Sequence, residues 1–110
     1  MDILDLDRLA LHRLFFEESE EGLTTMEEAL VALEQTPGDT DALHSLFRAA
    51  HTLKGNAQSL GFAELAALTH GLEDVLDRLR SGVLVLTREV IDLLLECVDA
   101  LRTMLAEAKG

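Results

Sequence analysis

The chain predicts an all-α fold, an antiparallel up-down four-helix bundle, on three observations. Leucine, alanine and glutamate are abundant, and the only aromatic residues are four phenylalanines, a composition that favours helices packed by aliphatic side chains. Apolar residues recur at spacings of three and four over four long stretches, the period of an amphipathic helix. Short turn sequences separate those stretches, and short connections make neighbouring helices antiparallel. At 110 residues the chain can bury one core and is too short for two ordinary domains, so residues 1–110 are read as one domain.

The first helix is expected from about Asp7 to Gln35, with Phe16, Leu23, Met26, Leu30 and Leu33 on its apolar stripe and glutamates between them. Gly22 interrupts it at about 1 kcal/mol relative to alanine. Residues before Asp7 are expected to add a short helical turn across the end of the bundle. Thr36-Pro37-Gly38-Asp39 ends the helix, and Asp39 or Thr40 can accept the free amide hydrogens that start the next. That second helix runs to about Leu60 on the stripe Leu43, Leu46, Ala50, Leu53, Ala57, Leu60.

Gly61 is a natural carboxyl-terminal cap, and Phe62 opens a third helix with the stripe Leu65, Leu68, Leu72, Leu76, Leu79, closed by Ser81-Gly82. Val83 to Leu86 has no partner strand and reads as an apolar linker packed on the bundle's end. Thr87 caps a fourth helix that turns Ile91, Leu94, Val98, Leu101 and Leu105 inward.

A formal charge of -12 with only nine scattered basic residues argues against nucleic acid, whose phosphates need clustered Lys and Arg. Cys97 is the single cysteine, expected as a small buried thiol among Leu94, Leu95 and Val98, so a reducing cytoplasm fits. Apolar runs are short and interrupted by charge, and the start Met1-Asp2-Ile3-Leu4-Asp5 lacks a basic secretory region. Membrane insertion and export are therefore not expected.

His51 is the residue these helices do not need. At 100° per residue it falls far from its helix's stripe, on a flank shared with His44, Lys54, Gly55 and Gln58. Gly55, one turn on, leaves the imidazole uncovered for the approach of another molecule. Neutral imidazole is a good nucleophile near neutral pH, and phosphoryl transfer suits it: one ring nitrogen attacks phosphorus while an acceptor holds the other and fixes the tautomer. Lys54 at i+3 can set a cation beside the transferring oxygens. On the third helix His70, Glu73 and Asp77 share a face, and Glu73 is the chosen orienting acceptor.

The runs Phe15-Phe16-Glu17-Glu18-Ser19-Glu20-Glu21, Leu46-Phe47-Arg48-Ala49-Ala50-His51-Thr52-Leu53-Lys54-Gly55, Leu60-Gly61-Phe62 and Thr69-His70-Gly71-Leu72-Glu73 resemble, in order and spacing, the amino-terminal histidine phosphotransfer (HPt) domain of CheA-type chemotaxis histidine kinases. The resemblance implies that His51 is phosphorylated, that Lys54 assists, and that His70 and Glu73 form a hydrogen-bonded network around the imidazole. Arg48, Gly55, Gln58 and His44 would border the docking surface. It also implies two partners, a kinase ATP-binding domain that loads His51 and response-regulator receiver domains whose aspartate unloads it. The chain has no glycine-rich phosphate loop, so no cofactor is expected in this domain, ATP and magnesium belonging to partner domains. Asn56 and Gln58 stand where many relatives have small residues, which puts partner choice rather than the nucleophile in question.

Three other readings compete. A stand-alone HPt shuttle would use the same site in a multistep relay, although an end at Ala108-Lys109-Gly110 with no kinase region points to a domain of a longer kinase. A metal-carrying bundle would draw on His51, His70, Glu73 and Asp77, but the order His-x-x-Glu occurs once and the ligands flank the bundle. A purely structural dimerisation bundle explains the leucines and leaves Gly55 without a use. Phe47 and Phe62 are expected as core packing, and His12 has no assigned chemistry.

Overall fold

The structure, a computed structural model describing residues 2–110, consists of α1 (Ile3–Gln35), α2 (Thr40–Ser59), α3 (Ala63–Arg80) and α4 (Arg88–Lys109). The helices pack in a ring, α1 against α2 and α4, and α3 against α2 and α4. Their inward stripes form one core with Met26, Leu30, Leu33, Leu46, Leu76 and Leu101 at its fully buried centre. All five expected α4 positions are buried, as are Leu46, Ala50, Leu53 and Ala57 on α2.

The helix starts follow from their capping side chains. The Asp39 carboxylate accepts from the Ala42 amide and the Thr87 hydroxyl from the Val90 amide, each satisfying an amide that the helix leaves free. Two ends share one geometry. Gly61 and Gly82 have φ of 80° and 82°. The amides of Phe62 and Val83 reach back to the carbonyls of Ala57 and Arg78, while those of Gly61 and Gly82 bond Gln58 and Leu79. This paired closure needs a left-handed residue just past the helix, the backbone region glycine enters without penalty. The two glycine turns set where α2 stops and where α3 begins and ends.

Several expectations are corrected. Of the residues expected before Asp7, Met1 lies outside the described residues and residues 2–6 form no separate turn across the bundle, because Asp2 caps the helix at its own beginning by accepting from the Asp5 amide and no breaker follows. Helix α1 is therefore 33 residues long and accounts for the 51 Å long axis of the molecule, at about 1.5 Å per residue. Its first turns lead beyond the core and leave Ile3, Leu4, Leu6 and Leu9 exposed.

The core phenylalanine of α1 is Phe15 rather than Phe16. Phe15 stacks on Phe62 with centroids 5.0 Å apart, and Phe16 is only partly buried. Leu43, Leu60 and Leu68 likewise sit at the margin of the core. Between α3 and α4 only Leu84 and Leu86 pack inward, while Val83 and Val85 are exposed. Cys97 is half-buried, and burial, then the neighbouring Glu96, pushes its thiol up, so it stays protonated. Among the described residues no helix is long and apolar enough to cross a membrane.

Gly61→Ala is expected to destabilise the domain by about 1–2 kcal/mol, the penalty of a left-handed conformation for a residue bearing Cβ. The urea midpoint reads this directly, and an unchanged midpoint would contradict the capping account.

Candidate functional site

Helices α2 and α3 meet at the site, and a single carboxylate joins them. The Nδ1 atom of His51 lies 2.5 Å from Oε2 of Glu73. The Lys54 ammonium donates to the other oxygen, Oε1, also at 2.5 Å. The Glu73 and Lys54 side chains are 14 % and 16 % exposed, whereas that of His51 is 65 % exposed. The acceptor is thus sheltered and the imidazole open to solvent.

Burial alone would push the Glu73 carboxyl up, but the hydrogen bonds and charges of Lys54 and His51 outweigh it and hold it below its ordinary value. The group is therefore an anion at neutral pH and can only accept. In the neutral imidazole this assigns the proton to Nδ1 and the lone pair to Nε2. Nε2 has no hydrogen-bond partner among the described residues. Lys54 joins the same carboxylate, its ammonium donating to Oε1 of Glu73 beside the His51 contact. A four-carbon stem one turn from His51 reaches across to α3, where a half-buried carboxylate attracts it more than solvent does.

His70 is not brought to the imidazole. Its ring is exposed, and Nε2 faces Asp74 at 3.7 Å, one turn along α3. The network at the imidazole in this structure is Glu73 with His51 and Lys54, and His70 faces Asp74 instead. Asp77 does border the site, lining with Phe47, His51, Glu73 and Asp74 a shallow open concavity of about 270 Å³. Among the described residues no three His, Cys, Asp or Glu side chains are grouped so that they could hold a metal ion.

His44, Arg48, Gly55 and Gln58 are all exposed along the outward face of α2 that carries His51. Arg48 also lines a groove between α1 and α2 with Glu18, Ser19 and Gly22. A Cβ built on Gly55 meets no heavy atom within 4 Å, so nothing inside the chain requires glycine there. Gln58 remains at the surface, but Asn56 does not crowd the imidazole; its amide donates to Glu18 on α1 at 3.3 Å.

Phe47 was expected in the core and has a second role in the geometry. It is half-buried, its ring lies within 9° of parallel to the His51 imidazole, and the Arg80 guanidinium sits 4.1 Å from its centroid. The i−4 spacing of Phe47 from His51 was the available signal; the arrival of Arg80 from another helix had none.

The model of the Hpt domain family matches residues 10–106. Chemotaxis protein CheA of Borreliella burgdorferi is 42 % identical over 106 residues, covering 96 % of this chain and 12 % of that relative's length. Among solved structures, the CheA phosphotransferase domain from Thermotoga maritima aligns with a TM-score of 0.84 at 33 % identity, over 90 % of this chain and 94 % of that one. The phosphorylated P1 domain of CheA3 from R. sphaeroides, solved in complex with CheY6, aligns with a TM-score of 0.84 at 32 % identity, covering 89 % and 77 % of the two chains. A four-helix bundle matched along nearly its whole length, carrying an exposed histidine oriented by a sheltered carboxylate, belongs to the Hpt domain family.

Proposed function

We propose that the domain is the phosphoryl carrier of a chemotaxis-type two-component relay. His51 accepts a phosphoryl group from the ATP-binding domain of a histidine kinase and passes it to an aspartate on response-regulator receiver domains. The observation that carries the reading is the 2.5 Å bond between His51 Nδ1 and an ionised Glu73 on an imidazole whose other nitrogen is free. The similarity to CheA proteins, and the receiver complex formed by the R. sphaeroides domain, support it.

In the loading step the Nε2 lone pair attacks the γ-phosphorus of ATP held by the kinase domain with its magnesium. The Nε2–P bond forms as the bond from phosphorus to the bridging oxygen breaks, and that electron pair leaves with ADP. Nδ1 keeps its proton, so positive charge grows on the ring, and the Glu73 carboxylate facing that proton stabilises it. Unloading reverses the roles: an aspartate oxygen of the receiver attacks phosphorus, and Nε2 takes back its electron pair. Lys54 keeps Glu73 anionic and in place throughout. The chain supplies the nucleophile and its orientation, and the partners supply nucleotide, metal and acceptor; the reading assigns the domain to the cytoplasm, where those partners work.

With a CheA kinase domain, ATP and magnesium, His51 is expected to carry an acid-labile, alkali-stable label that His51→Gln abolishes. Labelling of that variant at the normal rate would overturn the reading. Glu73→Ala should slow loading by about 10- to 100-fold, by analogy with the loss on removing a carboxylate that orients a metal-bound histidine, with helical content unchanged in circular dichroism.

The same carboxylate makes stability depend on pH. Because its folded pKa is depressed, its contribution is complete above the ordinary glutamate range and lost as pH falls through the depressed value. Urea midpoints of wild type should drop over that acid interval, and Glu73→Gln should lack this component; identical acid profiles would contradict the pairing.

Gly55→Ala separates folding from docking. It should raise stability by about 0.5–1 kcal/mol through helix propensity yet slow transfer to a receiver, since the new methyl group projects into the space a partner enters. Unimpaired transfer would remove Gly55 from the docking face.

A further inference from the structure

The Glu73 hydrogen bond fixes the imidazole at one atom only. A ring held at Nδ1 and 65 % exposed can still rock about that contact, which would swing Nε2 away from an incoming phosphorus. In-line attack needs the lone pair aligned as well as available, and a poorly aligned nucleophile loses much of the advantage of being held.

Phe47 stands one helical turn before His51. The two ring planes differ by 9°, with centroids 6.4 Å apart, within the range of offset stacking. Phe47 is itself restrained. The Arg80 guanidinium lies 4.1 Å from its ring centroid, and Arg80 Nη2 is tied to Asp77 Oδ1 at 2.9 Å. Arg80 is the last residue of α3, set immediately before the left-handed turn at Gly82, so its placement follows from where α3 is made to stop. A cation over an aromatic face contributes about 0.5–1 kcal/mol at an exposed site, enough to bias one ring orientation. Phe47 also walls the concavity that His51, Glu73, Asp74 and Asp77 complete.

The geometry points to Phe47 and Arg80 as positioning residues for phosphoryl transfer at His51: the flat Phe47 ring sets the plane of the imidazole, and Arg80 holds Phe47. Glu73 then decides which nitrogen is free, and Phe47 decides where that nitrogen points. This division of labour rests on the carrier reading above. It distinguishes Phe47 from an ordinary core residue, for which any apolar side chain of similar volume would serve.

The test compares Phe47→Leu, which keeps apolar volume and loses the flat face, with Phe47→Tyr, which keeps the face, and with Arg80→Met. Loading of His51 by a CheA kinase domain with ATP and magnesium gives kcat and KM, and 13C relaxation of the imidazole C–H groups gives ring mobility without any partner. Phe47→Leu should lower kcat by about tenfold with KM nearly unchanged and increase His51 ring mobility. Phe47→Tyr should stay within about twofold of wild type, and Arg80→Met should lose about threefold.

A Phe47→Leu protein with wild-type kcat and a rigid His51 ring overturns the proposal while the carrier reading stands on its labelled wild type. Failure of wild type itself to be labelled overturns the carrier reading instead. Should Phe47→Leu unfold, Arg80→Met decides, since an exposed side chain can be truncated without opening the core; unchanged kcat and ring mobility there reject the assignment.

Discussion

The carboxylate of Glu73 is the joint on which the site depends. It accepts from Lys54 and from His51 at the same time, one donor to each oxygen, and so links α2 to α3 through a single ionised group. Burial works against that charge and the two donors overcome it, which makes the three residues mutually dependent. Remove Lys54 and a half-buried anion has lost its counter-charge; remove Glu73 and no acceptor holds the imidazole proton on Nδ1. The bundle's contribution is to bring residues 51 and 73 within one hydrogen bond of each other. It does so by ending α2 at one left-handed glycine and α3 at another.

The arrangement of exposure explains a carrier better than a catalyst that closes over its substrate. The Glu73 and Lys54 side chains are sheltered and the imidazole they adjoin is not. The His51 side chain is largely exposed, and Gly55 leaves the adjacent turn bare at a cost in helix propensity, a Cβ there meeting no heavy atom within 4 Å. Under the proposed carrier role such a surface would admit two different partners in turn. The chain spans 12 % of the length of the B. burgdorferi CheA relative.

Much of this was legible in the residues. Helix periodicity placed four stripes, and capping chemistry placed Asp39, Gly61, Gly82 and Thr87, because both are local and repeat at fixed spacing. Glu73 was legible as an orienter since one face of the third helix carried several candidate groups, although spacing on that face could not separate Glu73 from His70. Only the crossing of α2 and α3 does so, bringing position 73 to His51 and leaving His70 beside Asp74. The choice of Phe15 over Phe16, the unbroken run of α1 from Ile3, the turn of Lys54 toward Glu73 and the layering of Arg80 on Phe47 all depend on how two helices face each other. A one-dimensional pattern does not contain that information.

The central claim is that an ionised Glu73 holds the proton of neutral His51 on Nδ1 and leaves Nε2 as the nucleophile. The 15N chemical shifts of the His51 ring at a pH where it is neutral report this most directly. The account predicts a protonated, pyrrole-type Nδ1 and a bare, pyridine-type Nε2. A His51 that is predominantly protonated on Nε2 would contradict it.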